Sequence, residues 1–201
     1  MNRILRILTI ASICLISSSA MAVSTWTIDP DHSNVQFKIR HMMIANVNGT
    51  FGKVKGVVRI DETDMAQSAV DVTIEINSIN TGVAKRDEHL KSNEFFDAAK
   101  YPTMTFVSGK VTQIGKGQLK LLGILTIHGI SREVVLDVDG PTSEIKDPMG
   151  NTRCGASATT KINRTDFGLN WNKSMETGGM MIDDTVFINL EIEMIKDQGT
   201  K

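Results

Sequence analysis

The sequence has few cysteines, no surplus of basic residues and no long apolar run in its body, and each shortage excludes a class of protein. Two cysteines in 201 residues exclude a small fold held by several disulfides. Lysine and arginine total 22 against 23 acidic residues, so the positive charge that drives binding to nucleic-acid phosphates is missing. Hydrophobic residues make up 41% of the chain, which is enough for one domain with a buried core.

The first 22 residues have the pattern of a secretory signal peptide. Arg3 and Arg6 give a positive start, the stretch 4–16 is almost wholly apolar, and Ala20-Met21-Ala22 is the small-x-small pattern of a cleavage site. We therefore predict that residues 1–22 are removed and that residues 23–201 form one exported domain, in the periplasm if the source is bacterial. No later segment reaches the roughly 20 apolar residues that a membrane-spanning helix needs, so stable membrane insertion is not expected.

Neither cysteine predicts reactive chemistry. Cys14 follows Ile13 inside the apolar run rather than a small residue at its end, so a lipid anchor is rejected. Cleavage would leave only Cys154, which excludes an internal disulfide. A buried, small apolar residue is favoured for Cys154 over a redox or catalytic thiol.

The predicted domain alternates apolar and polar residues with a period of two. Val35, Phe37, Ile39 and His41 alternate with polar neighbours, as a strand with one wet face requires. The same alternation recurs in about seven further segments, separated by turn signals such as Asn48-Gly49 and Asp139-Gly140-Pro141. A short helix is predicted over Ala84 to Lys91, and a second turn or helix near Arg164. This pattern predicts an all-β antiparallel fold of about eight strands with one or two short helices.

Such strands form either a sandwich or a closed barrel. Several inward positions carry small residues, which would leave space inside a barrel for a ligand. These positions are Gly56, Ser108, Gly123, Ala156 and Ala158. The alternative is that large phenylalanines fill the space, and alternation alone does not decide between the two.

Five ordered motifs resemble those of the YceI-like family. They are Trp26-x-Ile28-Asp29-x-x-His32-Ser33-x-Val35-x-Phe37-x-Ile39-x-His41, then Gly49-x-Phe51, then His89-Leu90-x-Ser92-x-x-Phe95-Phe96-Asp97-x-x-x-Tyr101-Pro102, then Gly123-x-Leu125-Thr126-Ile127-His128-Gly129, then Ile162-x-Arg164-x-Asp166-Phe167-Gly168. The resemblance implies an extended, lipocalin-like β-barrel in the bacterial periplasm. It implies a long hydrophobic lumen for a polyisoprenoid, such as an isoprenoid quinone or a prenyl pyrophosphate, with no other cofactor. Transport, storage and stress protection are the roles that it suggests.

The ligand-binding residues expected from this resemblance and from the alternation are mostly inward-facing apolar side chains. They are Val35, Phe37, Ile39, His41, Phe51, Val58, Val72, Ile74, Phe95, Phe96, Phe106, Leu121, Leu125, Ala156, Ala158 and Ile188. Candidate head-group contacts near the mouth are His41, Arg164 and Asp166. A structural role is the alternative for each: a hydrogen-bonded histidine at 41, and closure of a turn by Arg164 and Asp166.

Neither catalysis nor metal binding is predicted. Asp31-His32-Ser33 contains the three residue types of a catalytic triad, but neighbouring strand residues point to opposite faces. The four histidines lack metal-ligand spacing, and His89 is interpreted as part of the solvated face of the predicted helix. The alternatives are a periplasmic enzyme acting on a lipid and a protein-interaction module. A homodimer is compatible with the sequence.

Overall fold

The computed structural model describes residues 23–176 and 178–198. The predicted signal peptide, residues 1–22, lies outside them and stays a prediction. The strands are β1 (Val23–Ile28), β2 (Asn34–His41), β3 (Ala45–Phe51), β4 (Val54–Asp61), β5 (Ala69–Glu75), β6 (Ile79–Asn80), β7 (Thr103–Gly115), β8 (Gln118–Ile127), β9 (Ile130–Asp139), β10 (Ile145–Lys146), β11 (Thr152–Asn163) and β12 (Ile182–Lys196). Helix α1 is Ala84–Lys91, and single 3₁₀ turns cover Met65–Gln67, Ile76–Ser78 and Arg164–Phe167.

The strands form one antiparallel sheet that closes on itself. Sheet order runs β11-β9-β8-β7-β5-β4-β1-β12, and pairing of β12 with β11 closes the ring. β1 and β2 lie end to end along one edge of β12, so they act as a single bent strand. β3 with β4 and β5 with β6 extend the sheet in the same way. The result is the eight-stranded, lipocalin-like antiparallel barrel that the sequence predicted.

One end of the barrel is closed by packed side chains. Trp26 is 1% exposed, and its indole N–H donates to Ser24 Oγ at 2.8 Å. Trp26 pairs with Val58 of β4 and with Lys196 of β12. The N-terminus of β1 and the C-terminus of β12 meet here, whereas the β2–β3 hairpin, α1 and the 3₁₀ turn at Arg164 lie at the opposite end, which we call the helix end.

An ion-pair cluster ties three chain segments together on the closed side. Arg153 Nη1 lies 2.6 Å from Asp29 Oδ2 and 2.5 Å from Glu193 Oε1, and Arg153 Nε lies 2.7 Å from Asp147 Oδ2. Asp29 follows β1, Asp147 lies between β10 and β11, and Glu193 is in β12. The guanidinium therefore fixes the β1–β2 bend against the closing seam of the barrel.

None of the helices in the described ranges has both the length and the apolar character needed to cross a membrane.

Candidate functional site

The inward faces of the strands enclose a cavity of about 440 Å³. On β12 the wall is made by Ile182 and, beyond a register shift, by the even-numbered residues from Val186 to Met194, as the period of two requires. At about 3.3 Å per residue this row is roughly 40 Å long, and strands tilted by about 40° reduce it to roughly 30 Å along the barrel axis. The cavity is therefore long and narrow, with mostly hydrocarbon walls.

All sixteen residues predicted to face the lumen line this cavity. On β2 the inward side chains become more accessible toward the hairpin, from the buried Val35 to the half-buried Ile39 and His41. The cavity thus becomes more open toward the helix end. Whether these residues contact a ligand stays a prediction.

The explanation of the cavity by small residues was wrong for three of the five positions. Gly56, Ser108 and Gly123 do not line it. A β-carbon on Gly56 would overlap the carbonyl oxygen of Asp71, and one on Gly123 would overlap the Phe106 ring. Ser108 Oγ accepts a hydrogen bond from the Val70 N–H at 2.8 Å. Of the five, only Ala156 and Ala158 lie on the wall, so the cavity does not depend on a row of small residues.

Polar side chains reach the cavity mainly at the helix end. There the wall includes His41, Arg86, His89 and Arg164, while Ser68 lies at the closed end. A tail could therefore occupy the apolar length while a polar head stays near α1.

Arg164 is committed to its own loop. It is 3% exposed, and its guanidinium donates to the carbonyl oxygens of Asp183 at 2.9 Å, Trp171 at 2.9 Å and Leu169, and to Asp184 Oδ1 at 3.0 Å. Burial lowers the pKa of Arg164 from its ordinary value, and Asp184 opposes that effect. Four of its five N–H donors are used within the protein, so its main role here is to hold the loop at Leu169 and Trp171 against the start of β12.

The other two candidate head-group residues differ in position. His41 lines the cavity at the β2–β3 hairpin. Asp166 is exposed and does not line it, because Phe167 takes the buried position in the same 3₁₀ turn. The structure thus brings His41 and Arg164 to the cavity but leaves Asp166 outside.

The sequence interpretation of His89 as solvated was wrong. His89 lines the cavity and packs edge-on against Phe95 and Trp171, with ring centroids 5.0 and 4.9 Å apart. Its Nε2 lies 2.6 Å from Glu94 Oε2. The i, i+3, i+4 spacing of Arg86, His89 and Leu90, which all line the cavity, was the available signal that they share one helix face.

Helix α1 is held in place by contacts with the loop before it. Thr81 donates to Asp87 Oδ1 through its backbone N–H at 2.9 Å and its hydroxyl at 2.5 Å. Arg86 in turn donates to the hydroxyl and carbonyl oxygens of Thr81 at 2.8 and 2.9 Å. This arrangement fixes the helix face that carries His89 toward the cavity.

The cluster of Asp29, His32 and Glu193 places potential metal ligands within 4.8 Å of one another. Arg153 donates to both carboxylates of this set, so a guanidinium already supplies the positive charge. Ser33 Oγ donates to the Glu193 carbonyl at 3.2 Å and accepts from its N–H at 2.9 Å. These residues clamp β2 to β12.

The barrel, its cavity and the ordered motifs agree with one family. The sequence profile of the YceI-like domain matches residues 26–194. The chain belongs to the YceI-like family. This YceI-like chain is 36% identical over 165 residues to a UPF0312 protein of Staphylococcus aureus strain MSSA476, covering 82% of this chain and 93% of the relative.

Solved structures agree with the YceI-like assignment. The Campylobacter jejuni YCEI protein is 36% identical, with a TM-score of 0.66 over 80% of this chain and 91% of the other. A polyisoprenoid binding domain from Saccharophagus degradans, implicated in plant cell wall breakdown, has a TM-score of 0.61 at 16% identity. That match covers 88% of this chain and 99% of the other and shows the fold alone.

Proposed function

We propose that this YceI-like chain is an exported binding protein that holds a polyisoprenoid, or a similar long-chain amphiphile, in its barrel. The observation that carries the proposal is the apolar cavity of about 440 Å³ that extends from the helix end toward the closed end. A long, narrow, hydrocarbon-lined space matches a chain-like ligand better than a compact polar one. The sixteen lumen residues named above are the proposed tail contacts.

Burial of the tail is sufficient for useful affinity. Each buried methylene contributes about 0.8 kcal/mol, so a dozen carbons offer about 10 kcal/mol before ordering costs. The cost of association and of ordering the chain reduces this to roughly micromolar affinity. No strong polar contact is required, which agrees with a wall that is apolar over most of its length.

The isoprenoid class is supported by the relative from Saccharophagus degradans, which is described as a polyisoprenoid binding domain. An isoprenoid quinone or a prenyl pyrophosphate has the required form, a long apolar chain with one polar head. We place the head near His41, Arg86 and His89, where the polar groups meet the cavity. Arg164 would shape this end rather than bind the head, because four of its five N–H donors are already used.

Export to the periplasm is supported by the signal-like sequence of residues 1–22. An extracytoplasmic carrier could transport such a lipid, store it or protect the cell under stress. Each role requires the same binding step.

The test is to identify what the protein carries. Protein purified gently from an exporting bacterial host should release a long-chain isoprenoid into an organic extract, identified by mass spectrometry. Protein stripped of lipid should rebind added prenyl lipids, followed through fluorescence of Trp171, which lines the cavity. A Trp171→Phe variant is the control that assigns the signal, because Trp26 lies in the core and not on the wall. Protein that is repeatedly empty and ignores added prenyl lipids would refute the proposal.

A further inference from the structure

We propose that the β2–β3 hairpin tip is a membrane-docking surface that seats the helix end of the barrel on an anionic bilayer. We define the tip as Met42, Met43 and Ile44. The inference rests on the proposed function and extends it, because a carrier of an insoluble lipid must collect and deliver that lipid at a membrane.

The tip presents three consecutive apolar side chains to solvent. Met43 is 64% exposed, Ile44 is 75% exposed and Met42 is also exposed. Single exposed apolar residues are ordinary on protein surfaces. A run of three at a hairpin tip is typical of a surface that binds a partner or a membrane. Met180 extends the patch: it is exposed, and the Met42 N–H donates to the carbonyl oxygen of the adjacent Met181 at 2.7 Å.

The tip is continuous with the cavity wall. His41, which starts the turn, lines the cavity and pairs with Ile182, which lines it too. Met181 both lines the cavity and bonds the tip through its carbonyl. A bilayer in contact with the tip would therefore lie beside the more accessible end of the lumen.

The backbone of the tip is held in an unfavourable conformation. Met42 and Met43 have φ values of 51° and 58°, and the Ile44 N–H donates to the His41 carbonyl at 3.0 Å. This is the pattern of a type I′ turn, in which Asn-Gly is strongly preferred because both central residues need positive φ. Two methionines at these positions have no advantage for folding, whereas they do expose flexible apolar side chains.

Charges beside the tip favour anionic lipid. Arg40 Nη2 donates to the Met43 carbonyl at 3.0 Å, which keeps its cation at the tip. Lys173 is exposed, and its carbonyl accepts from the Met181 N–H at 2.8 Å. Glu176 is an exposed carboxylate in the same loop, Asp184 is paired with Arg164, and the half-buried Asp183 carboxylate accepts from the backbone N–H groups of Asp184 and Thr185. Apolar side chains flanked by two cations fit a headgroup layer of negative charge.

The experiment measures partitioning of the purified protein onto sedimented vesicles. Vesicles of phosphatidylethanolamine with phosphatidylglycerol should bind the wild type, and vesicles of phosphatidylcholine alone should bind it less. The triple variant Met42→Asn/Met43→Gly/Ile44→Ser should lose about tenfold in partitioning. Its Tm should not fall, and should rise if Asn-Gly relieves the turn, because these residues suit a type I′ turn.

The matched control is Val107→Ser/Ile124→Ser. These two exposed apolar residues face each other on β7 and β8, on the outer barrel wall. The control should bind vesicles as the wild type does, and both variants should still bind a soluble short-chain prenyl lipid. Loss of that lipid binding with vesicle binding intact would refute the carrier function and not the docking surface.

Three results would overturn the docking proposal. The wild type could fail to bind anionic vesicles, or the tip variant could bind them as well as the wild type does. Alternatively, sedimentation velocity could reveal a dimer that the tip variant abolishes, with vesicle binding absent, which would make the tip an interface between two copies.

Discussion

Phe37 lies directly opposite Gly49 in the β2–β3 pairing, and its ring occupies the space that a β-carbon at position 49 would need. The aromatic ring thus covers a residue that has no side chain of its own to pack. The Phe106 ring likewise covers Gly123 on the neighbouring strand, although it reaches the glycine diagonally, because Phe106 pairs with Leu125 and Gly123 with Ser108. Glycine in these strands accommodates a large side chain from the next strand, and does not create empty volume.

Gly49→Ala should destabilise the barrel by about 1–3 kcal/mol, the usual cost of overpacking a filled site. In a Phe37→Leu background, Gly49→Ala should lower the free energy of unfolding by less. A smaller loss should remain, because the Thr81 methyl group also approaches position 49. Urea unfolding of the two single variants and the double variant measures this coupling. Gly52→Ala is the control, since no atom lies within 4 Å of a β-carbon there. If Gly49→Ala lowered the free energy of unfolding equally with and without Phe37, the Phe37 ring would not be the group that excludes a side chain at position 49.

The same contact explains an error in the sequence-based prediction. Asn48-Gly49 is a strong local turn signal, yet both residues lie inside β3, and the turn is made by Met42 to Ile44. Local preference was overridden by pairing, because Phe37 needs a glycine opposite it. Alternation nevertheless predicted the antiparallel strands, since each strand keeps one polar and one apolar face, whereas the barrel was implied by the resemblance to the YceI-like family.

In the cavity wall, alternation predicted the residues on strands but not those on the loop and the helix. The period of two identified wall positions such as Val72 and Leu121, because inward direction depends only on position in the strand. It could not place Trp171 or His89, which reach the cavity through a loop and a helix whose positions depend on long-range contacts.

Ala158→Phe should weaken uptake of prenyl lipid by about tenfold while the barrel still folds. The alanine lines the cavity, so a phenyl ring there would take space from the tail. Thr159→Phe on the same strand is the control, because Thr159 is exposed. Titration of stripped protein, with thermal melts of both variants, measures the effect. Equal weakening by both substitutions would show that loss of space in the lumen is not the cause.

Cys154 should be inert to thiol reagents in the native protein. It is 4% exposed, and burial raises the pKa of its thiol to about 11. At pH 8 only about one thiol in a thousand would be ionised, and the thiolate is the reactive form. Alkylation followed by mass spectrometry should be slow until denaturant is added. Rapid native labelling would revive the reactive-thiol alternative.

Asp29→Asn should make the free energy of unfolding less sensitive to pH in the acid range. Hydrogen bonding from Arg153 lowers the pKa of Asp29 from 3.8 to about 2, mainly through the contact at 2.6 Å. Because the folded pKa lies below the unfolded one, this stabilisation is complete above about pH 4 and is lost as the pH falls through 2. Asp147, whose pKa Arg153 also lowers, adds to the same trend. The variant should therefore show a flatter fall in the free energy of unfolding between pH 4 and pH 2.

The same variant has a second signature at His32. Asp29 raises the pKa of His32 from 6.5 through a contact of 2.9 Å, so the stabilisation is present below pH 6.5 and lost as the pH rises through the raised value. In Asp29→Asn the NMR titration of His32 should return toward 6.5. Asp137→Asn is the control, because Asp137 makes one exposed contact with Lys120, which contributes little. An unchanged His32 titration in Asp29→Asn would show that another group, such as Glu193, raises its pKa.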